Sequence, residues 1–92
     1  MKSKALLEGQ LLGYSPTSAL ANSQAFEQAW FMIAGRYSEE EAAEKAQLLL
    51  AESVFSVSTH TDTDVRRIII SALTMLRAEE RRRHLVSYAR TR

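Results

Sequence analysis

The chain reads as all-α, a three- to four-helix bundle with a long, overhanging C-terminal helix. Two observations predict this. Apolar residues recur at spacings of three and four through most of the sequence, the period of amphipathic helices and not of strands. The breaks in that period fall at Gly13, at Ser15-Pro16, at Gly35 and in the polar run 56–64, which are helix stop and start signals. A third observation sets the shape: from Asp62 to Arg92 neither proline nor glycine interrupts the chain.

Composition sets the limits within which such a fold must work. Ninety-two residues, 46% hydrophobic and 25% charged, match an ordinary globular chain of one domain. A chain this short buries a modest fraction of its surface. It contains no cysteine, so neither disulfides nor thiolate metal sites can supplement the core. Helix packing or self-association must do so. No apolar run approaches the ~20 residues that span a bilayer. Residues 1–8 open like a secretory leader, but the apolar run stops at Glu8, so the expected location is cytoplasmic, with no membrane partner.

The first element is expected over 3–12, with Leu7 and Leu11 facing inward and Ala5 and Leu12 at the margin. Gly9 in its middle weakens it, and Gly13 is its stop. Ser15-Pro16 then opens a helix over 16–34, serine as N-cap and proline at the first helical position, with Asn22-Ser23 as an alternative cap and start. Phe26, Trp30, Ile33 and Tyr37 form its stripe, which Ala19, Leu20 and Ser23 extend backwards. Phe31 and Met32 widen that stripe. A helix apolar over so much of its circumference contacts more than one neighbour, and this one should be the most buried. Gly35 is its expected end.

Ser38-Glu39-Glu40-Glu41 reads as a capping box opening a third helix over 39–57. Ala42, Ala46, Leu49, Ser53 and Val54 form its inner face, with Leu50 and Val57 beside it. The run 56–64 brings His60, Asp62 and Asp64 close together. It lacks the glycine and distal glutamate of a calcium loop, and one histidine is too few for zinc. Thr61, Asp62 or Thr63 instead suits the cap of the last helix, expected over 62–89. Val65, Ile68, Ile69, Ala72 and Leu76 share one side of that helix, with Leu73 and Met75 at its margins. Glu79, Glu80, Arg83 and Arg90 then occupy the same side, while Leu85, Val86 and Ala89 point elsewhere. A helix from Asp64 to Ala89 would be ~39 Å long. A compact domain of this size is only ~32 Å across. The overhang and the displaced apolar patch predict contact with another chain, most simply in a two-fold dimer.

The formal net charge of +1 conceals a separation of charge. Residues 1–36 carry +1, residues 37–64 carry −6 and residues 65–92 carry +6. Adjacent acidic and basic helices can neutralise each other within or between chains, or the basic one can serve an anionic partner. Arg66, Arg77, Arg81, His84, Tyr88 and Arg92 fall on one outer side of the last helix, flanked by Arg82 and Arg83. Such a stripe can contact a phosphate backbone or an acidic protein. It can equally be a solvated face tied by Glu79–Arg83 and Glu80–His84 pairs.

Residues Gly9 to Leu20 (GQLLGYSPTSAL) resemble the A-x-x-L-G-Y-S-x-x-S-A-F turn of the helix-turn-helix in AraC-type transcription factors. The resemblance implies a second helix that enters the major groove. It covers about a dozen residues and departs at two places. Gly9 stands where a small alanine packs the two helices together, and the recognition segment 21–27 carries no positive charge.

No spacing of nucleophile, base and acid points to an enzyme, and no glycine-rich loop to a phosphate cofactor. No small-molecule substrate, cofactor or metal is expected. The functional expectation is a non-catalytic helical interaction or regulatory module acting as a homodimer. Trp30, Phe31, Leu73, Leu76, Leu85, Val86 and Tyr88 are its candidate contacts. The alternative is a small nucleic-acid-binding accessory protein using Arg66, Arg77, Arg81, Arg82, Arg83 and Arg92.

Overall fold

The structure, a computed structural model, describes residues 2–59 and 61–90, with side chains over 4–59 and 61–83. Four α-helices follow in order: α1 (Lys2–Gln10), α2 (Pro16–Ile33), α3 (Glu40–Val57) and α4 (Val65–Arg90). A 3-10 turn at Ala34–Arg36 joins α2 to α3. The fold is all-α, packed helix against helix, as the periodicity predicts.

The start of α2 is where the serine and proline place it. Ser15 has extended backbone (φ −63°, ψ 152°), and its hydroxyl accepts the Ser18 N–H at 3.2 Å. The other starts differ from expectation. Glu39, not Ser38, is the N-cap of α3, with no side-chain cap bond. Its carbonyl accepts the Ala43 N–H at 2.9 Å. Ser38 therefore stands one residue outside the cap, where its hydroxyl is not placed to serve the first turn. Glu41 pairs with Lys45 one turn on, at 3.5 Å. Glu40 and Glu41 still sit in the first turn, at the positive end of the helix dipole.

For α4 the cap is Asp64, later than the three residues expected. Its Oδ1 accepts the Arg67 N–H at 3.1 Å. Asp62 is drawn off into the turn before it, accepting the Thr59 N–H at 2.8 Å and pairing with the Arg67 guanidinium. At the other end of α2 the helix tightens into the 3-10 turn instead of reversing at Gly35. No glycine takes a positive φ.

The core is one cluster drawn from every helix: Leu7 and Leu11, then Ala25, Phe26, Ala29 and Ile33, then Leu50, Ala51 and Val54, then Ile68, Ile69, Ala72 and Leu76. α2 and α3 lie together, and α1 and α4 cover opposite flanks of that pair. Alanines on α2, α3 and α4 permit the close approach. The inner face of α4 is the expected one. The inner face of α2 is rotated from the expected stripe. Ser18, Ala21, Asn22, Ala25 and Ala29 are buried with Phe26 and Ile33. Trp30 and Tyr37 pack at the margin, and Leu20 faces out.

Two buried polar side chains on that face are bonded. Ser18 Oγ donates to the Asp62 carbonyl at 2.6 Å, and Asn22 Nδ2 donates to the Ser18 carbonyl at 2.8 Å. Asn22 Oδ1 also meets the Ser58 hydroxyl. These bonds staple the α3–α4 connection to α2.

The molecule measures 48 × 22 × 21 Å, with a radius of gyration of 13.7 Å. A compact chain of this length would have a radius near ~12 Å. The excess lies in α4. At 26 residues it is ~39 Å long, against ~27 Å for the 18 residues of α2 or α3. Its last buried core residue is Leu76, fourteen residues before its end. Among the described residues no helix is long and apolar enough to cross a membrane.

Candidate interaction surfaces

The bundle sorts its surfaces by helix. α3 presents Glu40, Glu41, Glu44 and Glu52 with Lys45, and all five are exposed. α4 presents Arg66, Arg77, Arg81, Arg82 and Arg83, also exposed. The two helices are in contact, yet among the described residues no ion pair joins them. Direct neutralisation of α3 by α4 within one chain is therefore not how these charges are held.

The arginines divide into two sets. Arg82 and Arg83 both engage Glu79, the second with Nε at 3.2 Å. Hydrogen bonds from Arg82 and then Arg83 hold the Glu79 carboxyl below its ordinary value. Arg66, Arg77 and Arg81 have no carboxylate partner among the described residues. Helical spacing keeps these three on one outer side, with exposed Ile70 between Arg66 and Arg77. Arg92 and the side chains of His84 and Tyr88 lie outside the described residues, and so does the expected Glu80–His84 pair. Glu80 instead accepts the Tyr37 hydroxyl at 2.7 Å. Tyr37 stacks on Trp30 with ring centroids 5.7 Å apart. Burial, and then the hydrogen bond to Glu80, push the Tyr37 phenol up to about 12. This clasp ties the α2–α3 connection to α4.

The candidate self-association residues fare unequally. Leu76 is 1% exposed and serves its own core, so it has no surface to offer a second chain. Leu73 is partly buried against the same core, and Trp30 is held by Tyr37. Phe31 is 87% exposed. The side chains of Leu85, Val86 and Tyr88 lie outside the described residues. Beside Phe31 stands Met32, 64% exposed, and eleven positions earlier on the same helix stands Leu20, 58% exposed. Glu27, Gln28, Phe31 and Met32 line a shallow open depression on α2.

The apolar spacing puts Leu20 inside and Met32 at the edge of the buried stripe, whereas both are exposed. The missed signal was polar. Ser18 and Asn22 stand one turn apart and continue back from Phe26. A helix that buries that pair must turn Leu20 outward.

The region between α1 and α2 does not have the packing that the helix-turn-helix resemblance implies. A Cβ added at Gly9 would meet nothing within 4 Å, so no helix presses on that position. The segment 21–27 contributes Ala21, Asn22, Ala25 and Phe26 to the protein's own interior. Among the described residues no three of His, Cys, Asp and Glu come together as a group able to hold a metal ion. Asp62 and Asp64 are engaged in the turn and cap before α4.

The chain matches no protein-family model, no curated protein and no solved structure at a significant level.

Proposed function

We propose that the protein is a non-catalytic helical interaction or regulatory module that works as a homo-oligomer. The observation that carries this reading is the exposure of Leu20, Phe31 and Met32 on α2, a helix whose other side already supplies seven buried residues. Leu20 and Phe31 share one side of that helix, and large apolar side chains left exposed there give a second chain surface to cover. The stretch of α4 past Glu80 supports the same reading, because a helix extended past its own bundle gains support from a second chain.

Sedimentation and light scattering over a wide concentration range test the reading. The expected result is a reversible monomer–oligomer equilibrium, with thermal stability that rises with protein concentration. A monomer at every concentration, with stability independent of dilution, would remove it.

One observation favours a second reading, an accessory protein that binds nucleic acid. Arg66, Arg77 and Arg81 lie exposed on one side of α4 without carboxylate partners among the described residues. Each phosphate they neutralise would add affinity that falls steeply with salt. Generic duplex should then be retarded in a gel at low salt, and Arg77→Ala with Arg81→Ala should weaken retardation and flatten its salt dependence. Retardation that is absent at low salt, or unaffected by the double substitution, excludes this role for the stripe.

A further inference from the structure

The outer face of α2 carries a pattern that is nearly the same in both directions. Leu20, Gln24, Glu27 and Phe31 follow at spacings of four, three and four, which sets them along one seam of the helix. All four are exposed. Turned end over end, the seam reads Phe31, Glu27, Gln24, Leu20, apolar at both ends and polar in the middle. Two α2 helices packed antiparallel, with a two-fold axis between Gln24 and Glu27, would set Leu20 of each copy against Phe31 of the other. Gln24 of each would face Glu27 of the other, an amide donor to a carboxylate acceptor.

Electrostatics single out this helix. In a two-fold contact a face meets itself, so a face with net charge repels its own copy. α3 carries four glutamates against one lysine. α4 carries seven arginines against two glutamates. α2 has one charged residue, Glu27, and Lys4 of α1 already pairs with it. Of the three long helices, α2 is the one that can meet itself with the least like-charge repulsion.

We infer that the Leu20–Gln24–Glu27–Phe31 seam is the self-association interface, occupied by the same seam of a second copy in antiparallel orientation. This rests on the homo-oligomer reading above and deepens it by naming the surface and the symmetry. A contact built on one helix pair falls at or below the ~1,200 Å² lower edge of standard interfaces. The dimer therefore dissociates on dilution. In it the acidic faces of α3 and the basic faces of α4 stay clear of the contact.

The test uses the full chain, whose lack of cysteine makes single-cysteine cross-linking unambiguous. Phe31→Asp places a charge where Leu20 of the other copy would sit. It should raise the dissociation constant roughly tenfold to a hundredfold. Helix content should be unchanged, since Phe31 contributes almost nothing to the monomer core. Gln24→Cys, close to the axis, should cross-link to itself with a short bis-maleimide. Thr17→Cys, exposed at the start of the same helix, should not, because antiparallel packing sends its two copies to opposite ends. If both cysteines cross-link, the pairing is parallel and the proposed symmetry is wrong. If wild type dimerises, Phe31→Asp dimerises equally and Gln24→Cys fails to cross-link, this interface is wrong and the homo-oligomer reading survives. A wild-type monomer at all concentrations overturns both.

Discussion

Tyr37 shows how much a single side chain can organise in this bundle. It sits after the 3-10 turn, stacks on Trp30 and donates to Glu80 four residues past the last core leucine. The raised phenol carries a consequence for alkaline stability. An acid whose folded value lies above its unfolded value stays protonated in the folded chain after the unfolded chain has lost its proton. The unfolded state then binds fewer protons, so stability falls as pH rises. The window runs from the ordinary tyrosine value near 10 up to about 12. Phenolate absorbance should therefore show a late-titrating component that is absent from Tyr37→Phe. The variant should also lose part of the alkaline fall in stability over that window. Buried Asn22 and Ser18 carry the opposite lesson for prediction. Asn22 reads from its type as a cap, yet bonds to the Ser18 carbonyl, the Ser58 hydroxyl and, from Ser18, the Asp62 carbonyl make this pair interior.

At the scale of the element, local chemistry was legible where one dominant signal stood at the boundary. Ser15-Pro16 is such a case, since both residues favour the same start. Boundaries blurred where several equivalent residues competed. Glu39 displaced Ser38 as N-cap of α3, and Asp64 displaced Thr61, Asp62 and Thr63 at α4. Spacing alone could not rank such rivals, because tertiary bonds to neighbouring elements decide among them. Asp62 is used by Thr59 and Arg67, which leaves Asp64 to cap. Asp64→Ala should accordingly cost about 1 kcal/mol of stability, whereas Thr63→Ala should change it little. Urea unfolding of the two variants beside wild type reads the difference. The core face of α4 was legible for a different reason. Ile68, Ile69, Ala72 and Leu76 are all apolar and share one side, so no polar residue obscured the period.

Across the whole molecule, charge is separated by helix: α3 acidic, α4 basic, and α2 nearly neutral with Leu20, Phe31 and Met32 exposed. This separation makes the two functional readings respond differently to salt. Self-association through α2 buries apolar surface and should change little between low and moderate salt. Capture of nucleic acid by α4 should collapse over the same range. Running sedimentation and gel retardation across one salt series therefore assigns each activity to its helix. A self-association that weakens steeply with salt would instead implicate α3 meeting α4 of another copy.

What the sequence determined by itself was the all-α class, the overhanging last helix, the inner face of α4 and the split between acidic and basic segments. These follow from local period, helix length and residue count, all of which are properties of neighbours along the chain. The tertiary structure alone decided which side of α2 is interior, that Leu76 is core while Phe31 is surface, and that among the described residues the charges of α3 and α4 stay unpaired with each other. Each of those depends on which faces of three helices meet across the chain. A helix as apolar as α2 fits more than one rotation about its axis. The bonds from Ser18 and Asn22 to the α3–α4 connection select the one that leaves Leu20 and Phe31 outside.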